Sequence, residues 1–98
     1  MILSDVQKAQ VASEFKKFAE RMHLTTEQRK RLHASLAETY SKIQDFLNAH
    51  PGVSRLDILR AVATHRDAMR RRIANFLNPT QLRTWDEEVA LRILGPKG

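Results

Sequence analysis

Four histidines and a short run of carboxylates are the side chains of this 98-residue chain that could hold a metal or move a proton. His23, His33, His50 and His65 are spread so that none stands three or four positions from another, the spacing at which two imidazoles share one helical face and one zinc ion. His23 with Glu27, or His65 with Met69, would supply two ligands at most, leaving the rest to other parts of the fold or to another subunit. No metal site is expected. Asp86-Glu87-Glu88 is the one cluster of carboxylates, and no nucleophile stands beside a base, so the triplet reads as a solvated helical face rather than an acid–base pair. The chain has no cysteine, which removes thiolate ligands, disulfides and a cysteine nucleophile. Neither an enzyme activity nor a cofactor is expected.

The basic residues point to binding instead. Lys and Arg number 17 against 11 Asp and Glu, a formal charge of +6, which favours acidic polypeptide, nucleic acid or anionic headgroups. Two triplets stand out, Arg29-Lys30-Arg31 and Arg70-Arg71-Arg72, with Arg60, Arg66 and Arg83 nearby; antiparallel packing of their helices would merge them into one positive region. Nucleic acid is the secondary reading, because four of the six aromatics are Phe at core-type positions and no helix-turn-helix spacing is present. No apolar run is long enough to span a membrane. The start, Met1-Ile2-Leu3-Ser4-Asp5, is too short and too soon polar for a signal peptide. The expectation is a cytoplasmic protein, or an exported one shown without its signal.

Helices must position these groups. Three Gly and three Pro fall almost wholly at joints, leaving one domain, residues 1–98, with four helices and no strand periodicity. Helix one is expected from about Ser4 to Met22, with a stripe of Val11, Phe15, Phe18 and Met22. Helix two runs from after Thr25 to about Asn48 on Leu32, Leu36, Tyr40, Ile43 and Leu47, until Pro51 and Gly52 break it. Helix three starts at Ser54, capped with Asp57, and reaches about Phe76 on Leu56, Leu59, Val62, Met69, Ile73 and Phe76, with Arg66 or His65 in the stripe according to register. Helix four starts at Pro79, carries Leu82, Trp85, Val89 and Ile93, and stops before Gly95-Pro96. Helices two and three, each about 33 Å long, should fold back as a long central antiparallel hairpin. The joint at His23-Leu24 is so short that helix one either turns sharply onto helix two or runs out to a second subunit. The four helices can close as a bundle or stay open as a cradle with one face to be covered by another chain.

Two variant copies of one pentapeptide start helices two and four: Leu24-Thr25-Thr26-Glu27-Gln28 and Leu77-Asn78-Pro79-Thr80-Gln81. In each, a capping side chain (Thr25, Asn78) is followed three positions on by a glutamine (Gln28, Gln81) that can reach back to the cap's own N–H. Leu77 can staple to Leu82, whereas the first copy has Arg29 at the matching place.

This pair resembles the LTxxQ motifs of the Spy and CpxP family of small periplasmic stress proteins, whose metal-responsive relatives bind zinc, nickel or cobalt. Leu24, Thr25 and Gln28 match the first motif fully, and Leu77 and Gln81 match the second with Asn78 in place of Thr; the likeness covers roughly residues 20 to 92 and includes the Phe76-Leu77 pair and Trp85 one turn on. The resemblance implies an all-α, intertwined antiparallel dimer shaped as a shallow basic cradle, which holds unfolded or partner polypeptides without ATP in the periplasm. On this account Thr25, Gln28, Asn78 and Gln81 are structural caps, and client contact falls to Arg29, Arg31, Arg66, Met69 and Arg70. The His- and Met-rich tails of some relatives are absent. A metal-responsive sensor and a cytoplasmic regulator binding nucleic acid or a partner protein are the alternatives.

Overall fold

Capping, turn chemistry and apolar spacing produce helices throughout the residues that the computed structural model describes, 5–93. α1 (Asp5–Arg21), α2 (Thr26–Ala49) and α3 (Arg55–Ile73) lead to a fourth helix in which α4 (Pro79–Thr84), a π-helical turn (Trp85–Val89) and α5 (Ala90–Ile93) follow one another directly. There is no strand among the described residues. Ser4 and the Gly95-Pro96 terminator lie outside them.

Both pentapeptides form the reciprocal caps expected of them. Thr25 Oγ1 accepts the Gln28 N–H at 3.0 Å while Gln28 Oε1 accepts the Thr25 N–H at 2.9 Å. Asn78 Oδ1 accepts the Gln81 N–H at 2.8 Å, and Gln81 Oε1 accepts the Asn78 N–H at 2.9 Å. At Ser54 the hydroxyl accepts the Asp57 N–H at 3.1 Å, while the Asp57 carboxylate turns towards Arg60 instead, 3.9 Å away.

The joints show how the chain reverses in so few residues. Leu24 N–H bonds to Ala19 O at 3.0 Å and His23 N–H to Glu20 O at 3.3 Å, the paired bonds of a Schellman C-cap, with His23 in the left-handed region at φ 54 where glycine is usual. Leu24 and Ala19, the two residues such a motif brings together, are both buried. Between α2 and α3, Val53 N–H reaches His50 O at 3.3 Å; Pro51 second and Gly52 third, at φ 87, make this a type II turn. An added Cβ at Gly52 would meet nothing, so the dihedral alone requires glycine there. α3 ends at Ile73, three residues sooner than the apolar pattern indicated, because Asn75, Phe76 and Leu77 bond back to Arg72 and Ile73 carbonyls in tight turns.

The core lies where all four helices meet. Phe18 of α1 packs edge-on to Trp85 at 5.6 Å between ring centroids, with Leu32, Met69, Ile73 and Val89 closing around them. Helix one therefore packs onto its own chain. The result is a compact globule with extents of 42 × 26 × 20 Å. In the fourth helix, Gln81, Trp85 and Val89 recur every four residues and all are buried. A regular α-helix would carry such a series around its axis by about 40° at each step; the wider π turn absorbs much of that drift.

Two sequence expectations are corrected by this core. Met69 sits fully buried at its centre and Arg66 is 6% exposed, so neither presents itself to a client. Both belong to the stripe by which α3 packs, with Arg66 in the buried register and His65 only half-buried.

Candidate binding surface

The two motifs that cap separate helices also join each other. Gln28 Nε2 donates to Gln81 Oε1 at 3.1 Å and to Phe76 O, just before the second motif, at 2.9 Å. Gln81 Nε2 donates to Met22 O, just before the first motif, at 3.2 Å. Each amide thus caps its own helix with its oxygen and serves the other motif's approach with its nitrogen. Four cap residues, Thr25, Gln28, Asn78 and Gln81, are in this way committed to structure. A single sequence position three residues past a cap signals the box; nothing in it signals the link across the fold.

The arginine triplets do not merge into one positive face. Successive helical residues point about 100° apart, so Arg70, Arg71 and Arg72 go three ways. Arg70 Nε pairs with Asp86 on the fourth helix at 2.9 Å. Arg72 turns inward to α2, donating to Thr39 Oγ1 at 3.2 Å and Ser35 O at 3.5 Å. Its Nε lies 3.7 Å from Glu38, within ion-pair reach but too far to be a hydrogen bond. Arg71 faces solvent. In the other triplet, Arg31 pairs with Glu27 at 2.9 Å and sits 6.0 Å above the Phe76 ring, while Arg29 and Lys30 point outward. Glu38 is held below the ordinary carboxylate range first by its hydrogen bond from Lys42 and then by the Arg72 charge. Of the expected contact residues, Arg29, Arg31 and Arg70 are on the surface, and the last two already have carboxylate partners.

A second, apolar surface arises from unequal helix lengths. α2 has 24 residues and α1 has 17, about 36 Å against 25 Å at the usual rise. The fourth helix is shorter again; the Tyr40 hydroxyl donates to Ile93 O near the end of α5. Burial pushes the Tyr40 hydroxyl up to about 12. Beyond that point α2 and α3 run to their turn with little cover from the other described residues. Leu56 is 55% and Leu59 41% exposed, with Phe46, Leu47 and Val62 half-buried beside them. Periodicity had assigned Leu56 and Leu59 to the packed stripe; comparing helix lengths is the signal that would have found them.

Two of the histidines lie against phenylalanine rings. His33 meets Phe15 edge-on at 5.9 Å, and His50 stacks on Phe46 at 4.6 Å with Nδ1 3.0 Å from the Phe46 carbonyl. No group of three or more His, Asp or Glu that could hold a metal is present among the described residues. No described helix is long and apolar enough to cross a membrane. No protein-family model, curated protein or solved structure matches the chain.

Proposed function

We propose that this chain is a small ATP-independent chaperone or adaptor of the LTxxQ type, which holds unfolded or partner polypeptides on an apolar helical surface bordered by cations. The observation that carries the reading is the uncovered face at the turn end of α2 and α3, where Leu56 and Leu59 are 55% and 41% exposed. Arg55 and Arg60 flank it on the same helix. Scattered single leucines on a surface are ordinary, but neighbouring ones on one helical face with half-buried companions favour interaction. Cations attract acidic segments at long range, and the leucines add weak, promiscuous contact. Client contact therefore falls to Leu56 and Leu59 with the flanking cations Arg55 and Arg60, in place of Met69 and Arg66. The same reading takes α2 and α3 as the long central hairpin and a homodimer, in the periplasm, as the working form.

The test is suppression of aggregation of a chemically unfolded client at equimolar protein. The double substitution Leu56→Glu with Leu59→Glu should abolish protection while leaving the helical circular dichroism unchanged, since both side chains are exposed. A wild-type protein that does not slow aggregation at all refutes the chaperone reading.

A further inference from the structure

Between α1 and α2 lies a groove of about 250 Å³, distant in sequence from the turn-end leucines and lined by Lys8, Val11, Phe15, His33, Leu36 and Tyr40, with exposed Ala12 at its edge. Its walls are hydrocarbon. The Tyr40 hydroxyl donates its proton to the Ile93 carbonyl, so the residue offers the groove ring carbon and no free donor. Lys8, a cation, and His33 are then the polar side chains in the lining, and none of the described lining residues is acidic. Lys8 makes no ion pair among the described residues. Lys8 to Phe15 on α1 and His33 to Tyr40 on α2 each span seven residues, so the groove is about 10 Å long. That is a slot for a narrow chain rather than a broad ring system, a little below the usual size of ligand sites.

We propose that this groove binds an anionic amphiphile of the medium-chain carboxylate class, its aliphatic chain lying along Val11, Phe15, Leu36 and Tyr40 and its carboxylate meeting Lys8 at the rim. Charge complementarity selects the head group. A neutral alcohol of equal length gains the same wall contacts but not the attraction to the ammonium; a longer acid leaves carbon in water. The site is independent of the client surface and stands whether or not the chaperone reading does.

The experiment is a titration of the isotope-labelled protein with decanoate below its micellar concentration, followed by amide NMR shifts, beside a parallel titration with decanol. Saturable 1:1 binding is expected, with shifts at Val11, Phe15, His33 and Leu36 and decanoate tighter than decanol. Ala12→Phe, which fills the slot from an exposed position, should weaken decanoate by about tenfold or more. Lys8→Glu should weaken it severalfold at low salt and by less at high salt. Both variants should keep the parent melting temperature within a few degrees, which separates loss of the site from loss of the fold. The proposal is overturned if decanoate does not saturate, if the shifts centre on Leu56 and Leu59, or if a folded Ala12→Phe protein binds as tightly as the parent.

Discussion

Replacing Gln81 by alanine should cost this protein about 3 kcal/mol, far more than an ordinary helix cap. The side chain is 5% exposed and its amide serves three partners: Asn78 N–H at 2.9 Å, Gln28 Nε2 at 3.1 Å and Met22 O at 3.2 Å. A typical intramolecular hydrogen bond contributes about 1 kcal/mol net, and a part-buried partner left unsatisfied costs about 1 to 3 kcal/mol. Gln28 keeps its bond to Phe76 O, so the loss concentrates on the Asn78 N–H and the Met22 carbonyl. For a domain of this size, 3 kcal/mol lowers the melting temperature by about 12 to 24 °C. Urea unfolding followed by the fluorescence of the buried Trp85 measures it, and a double-mutant cycle with Gln28→Ala isolates the amide–amide bond, for which a coupling of about 1 kcal/mol is expected. Gln81→Glu is the sharper control, since it keeps shape and acceptors but turns an oxygen towards Met22 O. A coupling below about 0.3 kcal/mol, or a Gln81→Ala cost no larger than that of Ser54→Ala, would refute the claim that the two motifs act as one unit.

Met69→Ala should destabilise by about 2 to 5 kcal/mol as a fully buried core truncation, whereas Arg29→Ala should stay within about 0.5 kcal/mol; denaturant midpoints compare them directly. His23→Gly should raise stability by about 0.5 to 1 kcal/mol by relieving a side chain from the left-handed region, and a lower melting temperature would contradict the C-cap geometry. Tyr40 is the chain's one tyrosine, so ultraviolet absorbance should show the folded protein ionising near 12 and the urea-unfolded protein near its usual value of 10. Because the folded-state value is the higher, stability should hold below pH 10 and fall as pH rises from 10 towards 12, a loss that Tyr40→Phe should lessen; folded-state ionisation near 10 would count against burial of the hydroxyl.

Local chemistry was legible in the sequence and distant geometry was not. Thr25 with Gln28, Asn78 with Gln81 and Pro51-Gly52 act within a few residues, so reading them needs only spacing and side-chain type. The bond between Gln28 and Gln81 spans 53 residues and leaves no periodic trace. Arg66 and Met69 were placed both in a packing stripe and on a client surface; the stripe prevailed because one face of α3 cannot be in the core and in solvent at once. Leu56 and Leu59 show the reverse error, since periodicity marks an apolar face but not whether a neighbour is long enough to cover it. His23 took a position where glycine would have advertised the turn.

The π turn at Trp85–Val89 amounts to a surplus residue stored inside the fourth helix. Removing one solvent-facing residue there, Glu87, takes away about 100° of rotation, and the regular winding that then returns restores most of it, so everything downstream keeps nearly the same phase. The carbonyl of Ile93 would then stay on the side of Tyr40, with Val89 and Ala90 still inside. The fourth helix is therefore a place where chain length can change by one residue without changing which face meets the core.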